Sequence, residues 1–100
     1  MTALISRAEV PTDNAARYAK QLISHLGRKV EFTQDTPATW TAMIGPDHIR
    51  ILVGDTVLSL HAQASDAETL ARLEHALGSH LERFGARAGL SVRWHRDTTT

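Results

Sequence analysis

Six histidines in a chain of 100 residues are the side chains with the most chemical potential here, because neutral imidazole ligates transition metals and titrates near neutral pH. Their spacing argues against a metal centre. His75 and His80 are five residues apart, about 140° around a helix, so they cannot form the same-face pair of a metalloprotease helix. His48 and His61 fall on strand-like segments without a carboxylate in ligand spacing, and no cysteine supplies a thiolate. No metal site and no cofactor are expected. His25 and His80 are the more informative pair. Each sits about 60 to 80° from the centre of its helix's apolar stripe, at the core boundary. Tyr18 and Gln21 flank His25, while Ala76 and Arg83 flank His80. If the two helices pack side by side, Tyr18, Gln21, His25 and His80 converge on a small polar cleft and are the expected ligand-binding residues. Structural hydrogen bonding across the seam is the more frequent role for such histidines.

Catalytic templates find little to hold. None of the serines lies in a nucleophile-elbow sequence, and Ser65 has a capping role instead. His95-Arg96-Asp97 matches a kinase loop in three letters only, in a chain far too short for a kinase. Glu74 beside His75 and Glu82 near His80 read as helix-surface charges. No catalytic residue is assigned, and the leading expectation is a non-enzymatic binding domain. A small enzyme using His25 and His80 as acid–base groups is the alternative.

These side chains need elements to position them. Leu4, Ile5 and Val10 form a first strand that stops at Pro11, near the edge of a sheet. From Asp13 to Leu26, Ala15, Tyr18, Ala19, Leu22 and Leu26 recur at helical spacing, with Thr12 as N-cap and Gly27 as the left-handed closing residue. Alternating runs follow: Val30 and Phe32; then, after a turn-rich Thr33 to Pro37, Trp40, Ala42 and Ile44; then, past Gly45-Pro46-Asp47, Ile49, Ile51 and Val53. Gly54-Asp55 suits a two-residue hairpin turn, and Leu58, Leu60, Ala62 and Ala64 complete a four-stranded antiparallel meander. Ser65 to Glu68 has capping-box spacing ahead of a second helix striped by Leu70, Leu73, Leu77, Leu81 and Phe84. Gly78 inside that helix admits close approach by a neighbour. Leu90, Val92 and Trp94 alternate as a last strand before a frayed tail at 97–100.

The order is β-α-β-β-β-β-α-β, and one amphipathic face per element gives an α+β two-layer sandwich: an antiparallel sheet with both helices on one face. The first seven elements share the order of the TATA-binding-protein-like fold, a likeness that transfers no activity. The opposite sheet face, with Thr41, Met43, His48, Arg50, His61, Arg93 and His95, is left to solvent or a partner. Arg50, His61 and Arg93 are its expected partner-binding residues, for a protein, a second copy in a homodimer, or an anionic ligand.

Composition bounds these readings. The chain has the length of a single domain spanning 1–100, with 42% hydrophobic and 22% charged residues, as in ordinary globular proteins. Eleven basic and eleven acidic residues cancel, which argues against nucleic acid as a partner. No segment approaches the ~20 apolar residues of a membrane span, and the first residues do not read as a signal peptide. With no cysteine, a cytoplasmic location is expected.

Two stretches carry a resemblance. Arg17-Tyr18-Ala19-Lys20-Gln21-Leu22 followed by His25 is the first. The second is Leu70-Ala71-Arg72-Leu73-Glu74 running into His80-Leu81-Glu82-Arg83-Phe84, then Val92 and Trp94. From about Ser6 to Arg96 the chain resembles a bacterial family known as domain of unknown function 2218, departing from it at Gly85 and Ala88-Gly89. The resemblance implies one compact domain without an assigned reaction. Because such genes often neighbour those of siderophore-interacting and iron-uptake proteins, it also implies an accessory role in iron metabolism.

Overall fold

In the computed structural model, which describes residues 3–99, the elements are β1 (Ala3–Pro11), α1 (Ala15–Leu26), β2 (Phe32–Thr36), β3 (Thr39–Ile44), β4 (Asp47–Val53), β5 (Val57–Ala64), α2 (Ala67–Phe84), a 3₁₀ turn (Ala86–Ala88) and β6 (His95–Thr99). The strands form one antiparallel sheet of order β2-β3-β4-β5-β1-β6. Both helices lie on the same face: α1 packs on β4 and β5, α2 on β5 and β1, and the helices touch each other.

The alternation explains the layering. Ala42, Ile49, Ile51, Leu58, Leu60, Ala62 and Ala64 all turn inward and are buried, and Leu22, Leu70, Leu77 and Leu81 meet them from the helices. Each large aliphatic side chain buried this way contributes about 1.5–3 kcal/mol relative to exposure. Pro11 fits its strand for a similar local reason. Thr12 donates its N–H to the carbonyl of Thr56, so even-numbered residues of β1 face β5, and the donor that Pro11 lacks falls on the opposite side.

Several local expectations shift. Helix α1 starts at Ala15 behind Asn14, which makes no side-chain cap; the Thr12 hydroxyl accepts instead from the N–H of Asn14, an earlier turn. Gly27 is right-handed (φ −62°), because the chain keeps turning as Val30 donates to the carbonyl of Leu26. At the second helix, Asp66 rather than Ser65 is the N-cap, its carboxylate accepting the N–H of Thr69 at 2.7 Å. Ser65 is engaged elsewhere, donating its N–H to buried Asp47 at 3.0 Å.

The hairpin signals also exchange places. Ile44 pairs with Asp47 across Gly45-Pro46, and Gly45 has φ +62°, the glycine-favouring first position of a tight hairpin. Gly54 does not have positive φ; it opens a longer loop, its N–H bonded to the carbonyl of Val57. Strand β2 runs through Thr33–Thr36 with a register shift between Gln34 and Thr36, leaving only Pro37-Ala38 as the turn.

The largest departure is at the C-terminus. Leu90, Val92 and Trp94 are not a strand; they cross α2, packing against the core cluster. Gly78 permits this, since a Cβ there would stand 3.1 Å from Trp94 Nε1 and 3.5 Å from Val92 Cγ1. The strand begins only at His95, so 97–99 pair with β1 instead of fraying, and Thr100 lies outside the described residues. Among the described residues, no helix is long and apolar enough to cross a membrane.

Candidate functional site

Helical spacing places His25 on the last turn of α1 and His80 one turn before the end of α2, and the packing of the two helices brings them together. Their ring centroids are 4.2 Å apart and tilted by 56°. Phe84 completes an aromatic group, edge-on to His25 at 5.8 Å and stacked on His80 at 6.4 Å. Burial, and then the nearby charges of His25, Arg83, Lys29 and His75, lower the pKa of His80. His80 is therefore held towards its neutral form.

Beside this seam lies a groove of about 410 Å³ lined by Arg17, Lys20, Gln21, Ser24, His25, Arg28 and Phe84. Gln21 and His25 open onto it. His80 touches His25 from outside that lining, and half-buried Tyr18 packs against the core. Three cations and an imidazole surround the groove, and among the described residues no carboxylate lines it. Histidine spacing does not single out Arg17, Lys20 and Arg28. The available signal is that residues 14–30 contain four basic residues and no acidic one, in a chain of zero net charge. The basic residues His25 and Arg83 also occupy the last turns of their helices, where cations complement the dipole.

The open sheet face has its own order. Register places Thr33, Thr41, Arg50, His61, Arg7 and His95 directly opposite one another in turn, one row across all six strands. Arg50 donates from Nε to the Thr41 hydroxyl at 3.3 Å, and that hydroxyl donates to Asp35. His61 stands between Arg50 and Arg7, and burial followed by those two guanidiniums lowers its pKa. Arg93 is off the sheet, on the segment leading into β6. With Arg7, Glu9, Pro11, Ser91 and His95 it lines a cleft of about 630 Å³.

Glu74 is not the free surface charge its position on α2 suggests. It accepts from buried Ser6 and from Arg96, and these bonds, that of Arg96 first, hold its carboxyl below the usual range. Its role is to join elements. Among the described residues, no group of three or more histidine, aspartate or glutamate side chains is placed to hold a metal ion.

The profile of a family described as uncharacterized protein conserved in bacteria, domain of unknown function 2218, matches residues 7–95. No curated protein matches the chain. Among solved structures, the NMR structure of PA4090 from Pseudomonas aeruginosa is similar at 26% identity and TM-score 0.75, the match covering 92% of this chain and 95% of that one. The de novo designed protein Foldit4 matches at 15% identity and TM-score 0.44, over 99% of this chain and 96% of its own. A hydantoinase/carbamoylase family amidase from Burkholderia ambifaria matches at 17% identity and TM-score 0.46, over 99% of this chain and 28% of the amidase.

Proposed function

The chain belongs to the family of uncharacterized bacterial proteins called domain of unknown function 2218, and from that premise we propose that it is a non-enzymatic binding domain for a small anionic ligand, held at the seam of its two helices. One observation carries the reading: Arg17, Lys20, Arg28 and His25 converge on a single groove that, among the described residues, no carboxylate lines. Guanidinium and ammonium groups bind carboxylate or phosphate oxygens through charge-assisted hydrogen bonds, and Gln21 and Ser24 add neutral donors. Phe84 offers an apolar edge for the rest of the ligand.

Binding fits this geometry better than turnover. The His25–His80 pair has imidazole against imidazole, and its neighbours are Phe84 and cations rather than a carboxylate that would orient a general base. Carboxylate-rich iron chelators belong to the proposed ligand class, so the groove is compatible with an accessory role in iron or siderophore handling.

The test is an NMR titration with citrate, ferric citrate and inorganic phosphate. Citrate or phosphate is expected to shift the signals of Lys20, Gln21, His25 and Arg28, and Lys20→Glu with Arg28→Glu should abolish the response. A preference for ferric citrate over citrate supports the iron-handling role. No response in this groove to any of the three anions would overturn the reading.

A further inference from the structure

The β1–β6 ladder stops early. Its last paired residues are Arg7 and His95, while β1 continues to Pro11 and the chain before His95 leaves the sheet to cross α2. Among the described residues, Ala8–Pro11 therefore has β5 on one side and no strand on the other, over about 13 Å of extended chain. The cleft of about 630 Å³ occupies this gap.

Backbone alternation determines what faces it. Even-numbered residues of β1 turn their peptide groups to β5, so the N–H and C=O of Glu9 point into the cleft as the next open rung of the sheet. Pro11, one rung further, offers only a carbonyl. The charged side chains around the opening are two guanidiniums and one carboxylate: Arg7 from β1, Arg93 from the crossing segment, and Glu9 as the acidic member, with the His95 imidazole at the start of β6. Arg7 is only loosely engaged, 3.8 Å from Asp97 with both side chains more than half exposed. Across the sheet from it, Arg50 adds a further guanidinium to the same row, with His61 between them.

We propose that this cleft receives an acidic, extended peptide segment of a partner protein, which adds to β1 where β6 leaves off. An open backbone rung selects a strand, as in other cases of β-strand addition, and the arginines select acidic side chains at alternate positions. A small anion would use the arginines and leave the rung empty. A second copy of the chain would set like charges against each other. The slot is separate from the helix groove and does not depend on it.

The probe is a pentapeptide, Glu-Val-Glu-Val-Glu, blocked at both ends and followed by amide NMR and hydrogen exchange on the full chain. It is expected to shift the Glu9 amide and slow its exchange. Arg93→Gln, a change at an exposed side chain, should weaken binding by about tenfold or more, the loss expected for one charge-assisted contact. Lys20→Glu in the helix groove should leave it unchanged. The proposal is overturned if Glu9 is not protected, if the lysine-for-glutamate peptide binds as well, or if glutarate alone reproduces the response. It is equally overturned if Glu9 becomes protected in the free protein as its concentration rises, which would identify a second copy as the occupant.

Discussion

Arg96 holds Glu74 with both arms of its guanidinium, Nε at 3.0 Å from Oε2 and a terminal nitrogen at 2.7 Å from Oε1. Ser6, directly opposite Arg96 in the β1–β6 register and fully buried, donates its hydroxyl to the same Oε2 at 2.6 Å. One carboxylate thus ties α2 to β1 and to the last strand. A bidentate arginine pair is the strong form of such a contact, and removing the carboxylate's charge would also weaken the acceptor of the buried Ser6 hydroxyl.

Glu74→Gln is expected to lower stability by about 1–3 kcal/mol. Amide exchange in 95–99 should rise more than in α1, because the latch lies at β6. The depressed carboxyl pKa gives the pH dependence its sign. The contribution is complete above the ordinary carboxylate range and is lost as pH falls through the folded value. Urea unfolding at pH 7 and pH 3 should therefore show a smaller acid loss in Glu74→Gln than in the parent.

His80 predicts a second pH effect, in a different window. Its folded pKa is lowered, so the unfolded chain takes up its proton first as pH falls below the ordinary imidazole value of 6.5. Stability should be level at higher pH, decline as pH drops below 6.5, and level again below the folded value. His61 is lowered as well and acts in the same direction. His80→Phe should reduce the slope without abolishing it, a result that thermal melts between pH 8 and pH 5 would check.

Gly85→Ala should destabilise the protein although the φ of −99° at this C-cap is open to alanine. A Cβ at position 85 would stand 2.5 Å from Leu90 Cγ and 2.9 Å from Leu90 Cβ, forcing the crossing segment off α2. The expected cost is about 1–3 kcal/mol, the range for an overpacked contact. Trp94 fluorescence should report the displacement, and Gly85→Ala combined with Leu90→Ala should recover part of the loss.

Gly45→Ala tests the reassigned hairpin. Nothing lies within 4 Å of a Cβ there, so the penalty is conformational: φ +62° costs a non-glycine residue about 1–2 kcal/mol. Denaturant titration should show that loss, with the β3–β4 register preserved because Ile49 and Ala42 still need the core.

The inward faces are legible in the sequence because burial repeats with the period of its element. Leu58, Leu60, Ala62 and Ala64 alternate, Leu70, Leu73, Leu77 and Leu81 recur at helical spacing, and all eight are buried. Caps and turns were less readable, since neighbouring residues compete for one role. Asp66 displaces Ser65 at the second helix, and Gly45 rather than Gly54 takes the positive φ. Leu90, Val92 and Trp94 have the alternation of a strand but pack on a helix. Alternation records that one side is apolar; it does not record whether a sheet or a helix covers it.

The candidate sites divide in the same way. Sequence placed His25 and His80 at the edges of their stripes, and hence near a seam if the helices met; the 4.2 Å contact required the actual helix packing. By itself, then, the sequence determined the element order, the sandwich and the buried faces, because periodic burial is a local property of each segment. Only the tertiary structure decided that β1 lies between β5 and β6, that Arg50, His61 and Arg7 form one row, and that Glu74 bonds Ser6 and Arg96. Those relationships join residues distant in the chain. Their partners are set by strand neighbours and register, which no local period encodes.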